Sequence, residues 1–121
     1  MSKTILAVDD SPSIRQLVGF TLRNAGYTVT EAPDGKAALD IARKTKFDLI
    51  FTDVNMPGLD GIELTRSVRA LPGWAATPIL ILTTEASDDM KQRGKAAGAT
   101  GWLVKPFDPA KLLAAVSRVI G

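Results

Sequence analysis

The chain has 121 residues, no cysteine and no histidine, and its 15 basic and 13 acidic side chains leave a net charge of +2. That length suits a single domain able to bury roughly two thirds of its unfolded surface without disulfides. The composition excludes thiol chemistry, imidazole bases and thiolate metal sites, and the scattered Lys and Arg do not form the basic stripe that nucleic-acid binding needs.

Residues 3–8, KTILAV, read as a strand that ends in Asp9-Asp10. Ser11 is suited to cap a helix and Pro12 to open it. Ile14, Leu17, Val18, Thr21, Leu22 and Ala25 then recur at helical spacing until Gly26 stops the pattern. Residues 27–32 form a short strand, Pro33-Asp34-Gly35 a turn, and residues 36–44 an Ala-rich helix with Ala38, Ile41 and Ala42 inward.

Residues 48–53 carry the apolar run Leu49-Ile50-Phe51, too short for a helix and closed by turn residues, so a buried strand is expected. It ends at Asp53, followed by the breaker-rich Asn55-Met56-Pro57-Gly58. A helix over residues 61–71 follows, with Leu64, Val68 and Leu71 inward, then a loop over 72–78. Ile79-Leu80-Ile81-Leu82 is the clearest buried strand and ends in Thr83-Thr84. The helix over 88–97 is the poorest of the set: its apolar stripe is thin, and Gly94 inside it costs about 1 kcal/mol relative to alanine. Trp102-Leu103-Val104 is the last strand, ending in Lys105-Pro106-Phe107. Asp108-Pro109 opens a final helix lined by Leu112, Leu113, Val116, Val119 and Ile120.

Strand and helix alternate five times and the strands are continuous apolar runs, which predicts an α/β fold with a parallel sheet covered on both faces. No run approaches the ~20 apolar residues of a membrane span, and nothing resembles a secretory leader. A cytoplasmic, single-domain protein is expected, without membrane or nucleic-acid partners.

In a parallel sheet the carboxyl ends of the strands share one edge, where ligands bind. Four of the five strands end there in Asp9 and Asp10, Asp53, Thr83 and Lys105. Each has an ordinary alternative as a cap, a turn former or a solvated lysine; together on one edge they form a cluster. Two carboxylates about 5 Å apart repel by roughly 3 kcal/mol at an effective dielectric of 20. Three acids against one lysine therefore call for a divalent cation, and oxygen ligands alone favour Mg2+. A cation, an ammonium and a hydroxyl around one carboxylate suit phosphoryl transfer.

Asp9-Asp10, Asp53, Asn55-Met56-Pro57, Thr83 and Lys105-Pro106-Phe107 together resemble the receiver domain of two-component response regulators, and the resemblance covers the whole chain. It implies a flavodoxin-like fold with strand order 2-1-3-4-5. It also implies that Asp53 is the phosphoacceptor for a histidine kinase, with Lys105 and Thr83 contacting the phosphoryl group. Mg2+ would be held by Asp10 and Asp53, by Asp9 mainly through water, and by the Asn55 backbone carbonyl. The Lys105–Pro106 bond is usually cis in such proteins.

Further roles follow from the same resemblance. Asn55 and Glu85 resemble the pair that flanks the dephosphorylating water in stand-alone chemotaxis receivers. Thr83 and Trp102 would form the switch, although Tyr or Phe is usual at position 102. With Gly121 just past the last helix, a protein contact is the expected output: a monomer acting on a target such as the flagellar motor switch, with a phosphatase as a further partner. A receiver in another phosphorelay is the main alternative. A haloacid-dehalogenase-type phosphohydrolase fits less well, because its two aspartates are separated by one residue and these are adjacent. P-loop and Rossmann glycine patterns are absent.

Overall fold

The apolar runs of the sequence pair with one another as parallel strands. In the computed structural model, which describes residues 3–84 and 87–120, β1 (Thr4–Val8), β2 (Thr28–Ala32), β3 (Leu49–Asp53), β4 (Ile79–Thr83) and β5 (Gly101–Val104) alternate with five helices. These are α1 (Pro12–Asn24), α2 (Gly35–Lys44), α3 (Gly61–Arg69), α4 (Asp88–Ala97) and α5 (Pro109–Ile120). The sheet order is β2-β1-β3-β4-β5, the flavodoxin-like order that the resemblance implied.

Because successive side chains of a strand point to opposite faces, each strand feeds two cores. Ile5 and Ala7 pack with Val18 and Leu22 of α1 and Leu112 and Val116 of α5. Leu6 and Val8 pack with Ala38 and Ala42 of α2 and Leu64 and Val68 of α3. A smaller group, Val54, Ile62, Ile81 and Ala97, lies beneath α4. β3 and β4 are buried along their whole length, as strands covered on two faces must be. The edge strands β2 and β5 alternate between covered and exposed residues instead.

The helices begin on side-chain caps. Ser11 accepts from the Ile14 N–H, Asp34 from Ala37, Asp60 from Glu63 and Ser87 from Met90. The expected turn over 33–35 is shorter than read, since Asp34 is the cap and Gly35 the first helical residue. Ala25 caps α1 on the surface rather than facing inward, and Leu17 and Phe20 are exposed on the same helix. The weak helix occurs where expected, with Gly94 and Ala97 its buried residues. Gly94 has a packing reason: a Cβ there would stand 3.3 Å from Ile81 Cδ1.

Candidate functional site

β1 and β3 are adjacent and parallel, so their carboxyl ends deliver Asp9, Asp10 and Asp53 to one place. One carboxylate oxygen from each lies within 4.8 Å of the others. Asp9 and Asp53 are buried, at 4% and 2% exposure, whereas Asp10 faces solvent. The backbone on either side of the acids is fixed. The Asp9 N–H donates to the Ala32 carbonyl at 3.2 Å, and Asp9 Oδ1 accepts the Ser11 N–H at 2.9 Å. Behind Asp53, the N-terminus of α3 approaches so closely that a Cβ on Gly61 would stand 2.2 Å from the Asp53 carbonyl oxygen.

β4 and β5 bring the other two groups. Thr83 ends β4 and is fully buried, and its carbonyl accepts the Lys105 N–H at 2.7 Å. The Lys105–Pro106 peptide is cis. Lys105 Nζ stands 3.1 Å from Asp53 Oδ1 and 3.8 Å from Asp9 Oδ2. Asp53 Oδ1 is nevertheless reached by no aligned hydrogen bond among the described residues, so its contact with Lys105 is an ion pair.

Burial pushes the Asp53 carboxyl above the usual aspartate value. The Lys105 ammonium and the Asn55 N–H pull it down, and Asp10 pushes it further up. Asp9 is likewise raised by burial, with the Ser11 N–H opposing and the Asp53 charge adding. Two buried acids that resist ionisation beside a third, with oxygen donors only, form a set that fits a hard divalent cation.

The other expected residues lie nearby or stand apart. Asn55 is exposed two residues beyond Asp53. Glu85 falls outside the described residues. Trp102 sits on β5 at 39% exposure, its ring 5.5 Å from Lys91 Nζ. Beneath it is a cleft of about 10 Å³ lined by Ile81, Thr83, Met90, Lys91 and Gly94. A wider cleft, about 570 Å³, opens between α2 and residues 57–59 but shares no residue with the acidic cluster.

The sequence profile of the response regulator receiver domain matches residues 5–117. The chain belongs to this family. As a receiver it is 40% identical over 116 residues to the chemotaxis protein CheY of Pseudomonas aeruginosa, covering 95% of this chain and 94% of that one. The solved structure of chemotaxis protein CheY4 of Vibrio cholerae superposes with a TM-score of 0.96 at 55% identity, over 98% of this receiver and 99% of that chain. The receiver domain of a sensor histidine kinase from Pseudomonas aeruginosa, solved with a magnesium ion coordinated in its active-site cleft, gives a TM-score of 0.91 at 35% identity. That match covers 100% of this chain and 99% of the other. A gliding motility regulatory protein of Myxococcus xanthus is 44% identical over 101 residues; the match covers 84% of this receiver but 13% of that longer protein.

Two residues that motif reading did not single out also touch the site's frame. Arg15 donates to the Asp9 carbonyl from the first turns of α1. Arg69 donates to the Gly98 carbonyl that closes α4. The available signal was placement: a basic residue beside an inward-facing apolar stripe, where a lysine or arginine without a partner is unfavourable.

Proposed function

We propose that this receiver is a phosphorylation-switched signalling protein that accepts a phosphoryl group on Asp53 from a partner histidine kinase. The supporting observation is the Asp53 carboxylate itself: buried, held by the sheet, paired with Lys105, and with one oxygen free of aligned hydrogen bonds among the described residues. In the transfer, an Asp53 oxygen forms a bond to phosphorus as the P–N bond of a phosphohistidine breaks, and the electron pair leaves with the imidazole nitrogen. Lys105 offsets negative charge on the transferring oxygens, and the Thr83 hydroxyl, at the end of the neighbouring strand, donates to one of them.

Asp9, Asp10, Asp53 and the Asn55 carbonyl are the groups that would hold Mg2+, as the three converging carboxylates suggest. Bound there, the ion would supply positive charge to phosphoryl oxygens that a lone lysine cannot neutralise. Asn55 and Glu85 are assigned to dephosphorylation.

The output is a change in partner affinity on the face made by α4, β5 and α5. The cleft beneath Trp102, about 10 Å³, has room for about one water, so the indole enters only if α4 moves away. α4 suits that motion, because two small residues, Gly94 and Ala97, are what it buries. Likeness to chemotaxis proteins along nearly their full length favours a cytoplasmic, monomeric regulator whose target is the flagellar motor switch or a comparable assembly. A second reading, a receiver in another phosphorelay, draws on the gliding-motility relative.

Incubation with acetyl phosphate and Mg2+, followed by intact mass, tests the assignment. The parent should gain one phosphoryl group and Asp53→Asn none. Equal loading of Asp53→Asn would overturn it.

A further inference from the structure

Three charged side chains behind the acidic cluster form a chain of contacts outside the phosphoryl site. Arg15 Nη1 donates to the Asp9 carbonyl at 2.9 Å, and its Nε stands 3.4 Å from Glu31 Oε1. The other Glu31 oxygen pairs with Arg23 Nη1 at 3.0 Å, and Arg23 Nη2 donates to the Val29 carbonyl at 3.0 Å. The Arg15 and Glu31 side chains are mostly covered, at 19% and 24% exposure. Gly19 makes this possible, since a Cβ there would stand 2.9 Å from Glu31 Oε2 and 3.1 Å from Arg23 Nη1.

The Asp9 carbonyl belongs to the peptide that carries Asp10. The preceding peptide is held by the Asp9 N–H to Ala32, and this one is held by Arg15. No hydrogen bond to the Asp10 carboxylate forms among the described residues, so its direction depends on that peptide plane. A guanidinium is a rigid planar fork. Fixing its Nε against Glu31 therefore fixes where its Nη1 meets the Asp9 carbonyl.

We infer that Arg15, oriented by Glu31, is a positioning residue that sets the direction of the Asp9–Asp10 pair and with it the site's affinity for a divalent cation. The inference rests on the metal-assisted receiver reading given above. It differs from a purely electrostatic role in sign. Removing a positive charge near carboxylates, with nothing else changed, tightens cation binding; loss of positioning weakens it.

The test is Mg2+ titration of the parent, Arg15→Met, Arg15→Lys, Glu31→Gln and Gly19→Ala, by calorimetry and by amide NMR shifts of Asp10 and Ser11. Arg15→Met should raise the Mg2+ dissociation constant about tenfold, the scale expected when a group that orients metal ligands is lost. Arg15→Lys should not restore it, because a point donor cannot span both partners. Gly19→Ala guards against misfolding as an explanation. Alanine is the better helix former and the displaced groups are side-chain tips, yet the cation should bind more weakly. An Arg15→Met affinity equal to or tighter than the parent's, or full rescue by lysine, overturns the inference. Failure of the parent itself to bind Mg2+ would instead sink the receiver-site reading on which it rests.

Discussion

The Lys105 ammonium lies 3.1 Å from Asp53 Oδ1, an oxygen that accepts no aligned hydrogen bond among the described residues. The ammonium at the carboxyl end of β5 thus opposes the effect of burial on this carboxyl. Among the influences on Asp53, burial raises its pKa most and Lys105 is the leading opposing one. Lys105→Met should therefore raise the Asp53 pKa further, because an adjacent opposite charge is lost. NMR titration of the Asp53 side-chain carboxyl carbon reads this directly. An unchanged or lower value would show that Lys105 does not govern the acid.

The same burial makes stability depend on pH in an unusual direction. Asp9 and Asp53 have folded pKa values above the unfolded one, so the folded chain binds their protons more readily. Their contribution is fully present below the ordinary aspartate value of about 3.9, and is lost as pH rises through the folded value. Asp48 works the opposite way. The Thr4 N–H lowers its pKa, so its contribution is present above the ordinary value and lost as pH falls through the lower folded one. Without divalent cations, the urea midpoint should rise from neutrality toward about pH 4 and fall below it. Asp53→Asn should flatten the rise and stabilise the neutral protein. A midpoint that declines steadily from neutrality downward contradicts the assignment.

The two tryptophans report on different regions. Trp74 is 2% exposed, with Lys46 Nζ 4.6 Å from its ring centroid, in a loop remote in sequence from the acidic cluster. Trp102 is partly exposed over the cleft beside Thr83. Acrylamide should quench the Trp102 component and spare that of Trp74. On loading with acetyl phosphate, Trp74→Phe should retain an emission change and Trp102→Phe should lose it. A Trp74→Phe protein that gains the phosphoryl mass without any change in emission counts against the switch.

The site was legible in the sequence to the extent that it depends on strand ends. Parallel strands bring their carboxyl termini to one edge whatever the details of packing, so Asp9, Asp10, Asp53, Thr83 and Lys105 could be grouped before any distance was known. Contacts between distant segments were not legible. Gly35 read as a turn residue, yet it opens α2 behind the Asp34 cap, and it has no room for a side chain because the Leu59 carbonyl comes within 2.3 Å of where its Cβ would be. Helical spacing placed Leu17 beside Val18 on one stripe, but a periodic pattern does not say where the covering elements stop, and Leu17 remains exposed. Trp74 stood among loop residues, where periodicity is silent, and it is buried. Arg15 carried no motif at all; its role appears only once the Asp9 carbonyl and Glu31 flank it.

Arg69 illustrates how such a contact bears on the proposed switch. Its Nε and Nη2 donate to the Gly98 carbonyl at 3.0 and 2.8 Å, and its Nη1 donates to the Trp74 carbonyl at 2.5 Å. Gly98 is the left-handed residue that ends α4, and a cation at a helix C-terminus also complements the helix dipole. One guanidinium thus ties the last turn of α4 to α3 and to the loop before β4. The other end of α4 is held by the Ser87 cap. If α4 moves during signalling, it should pivot about the Arg69 end. Arg69→Met removes three donors to carbonyls and should destabilise the fold by about 2 kcal/mol. The loss should concentrate in amide exchange of residues 94–98 and 71–77, leaving α1 and α5 protected. Arg69→Lys supplies a single point donor in place of the fork and should recover less than half of that protection. Uniform loss of protection across all five helices would mean that Arg69 supports the whole domain and does not act as a local pivot.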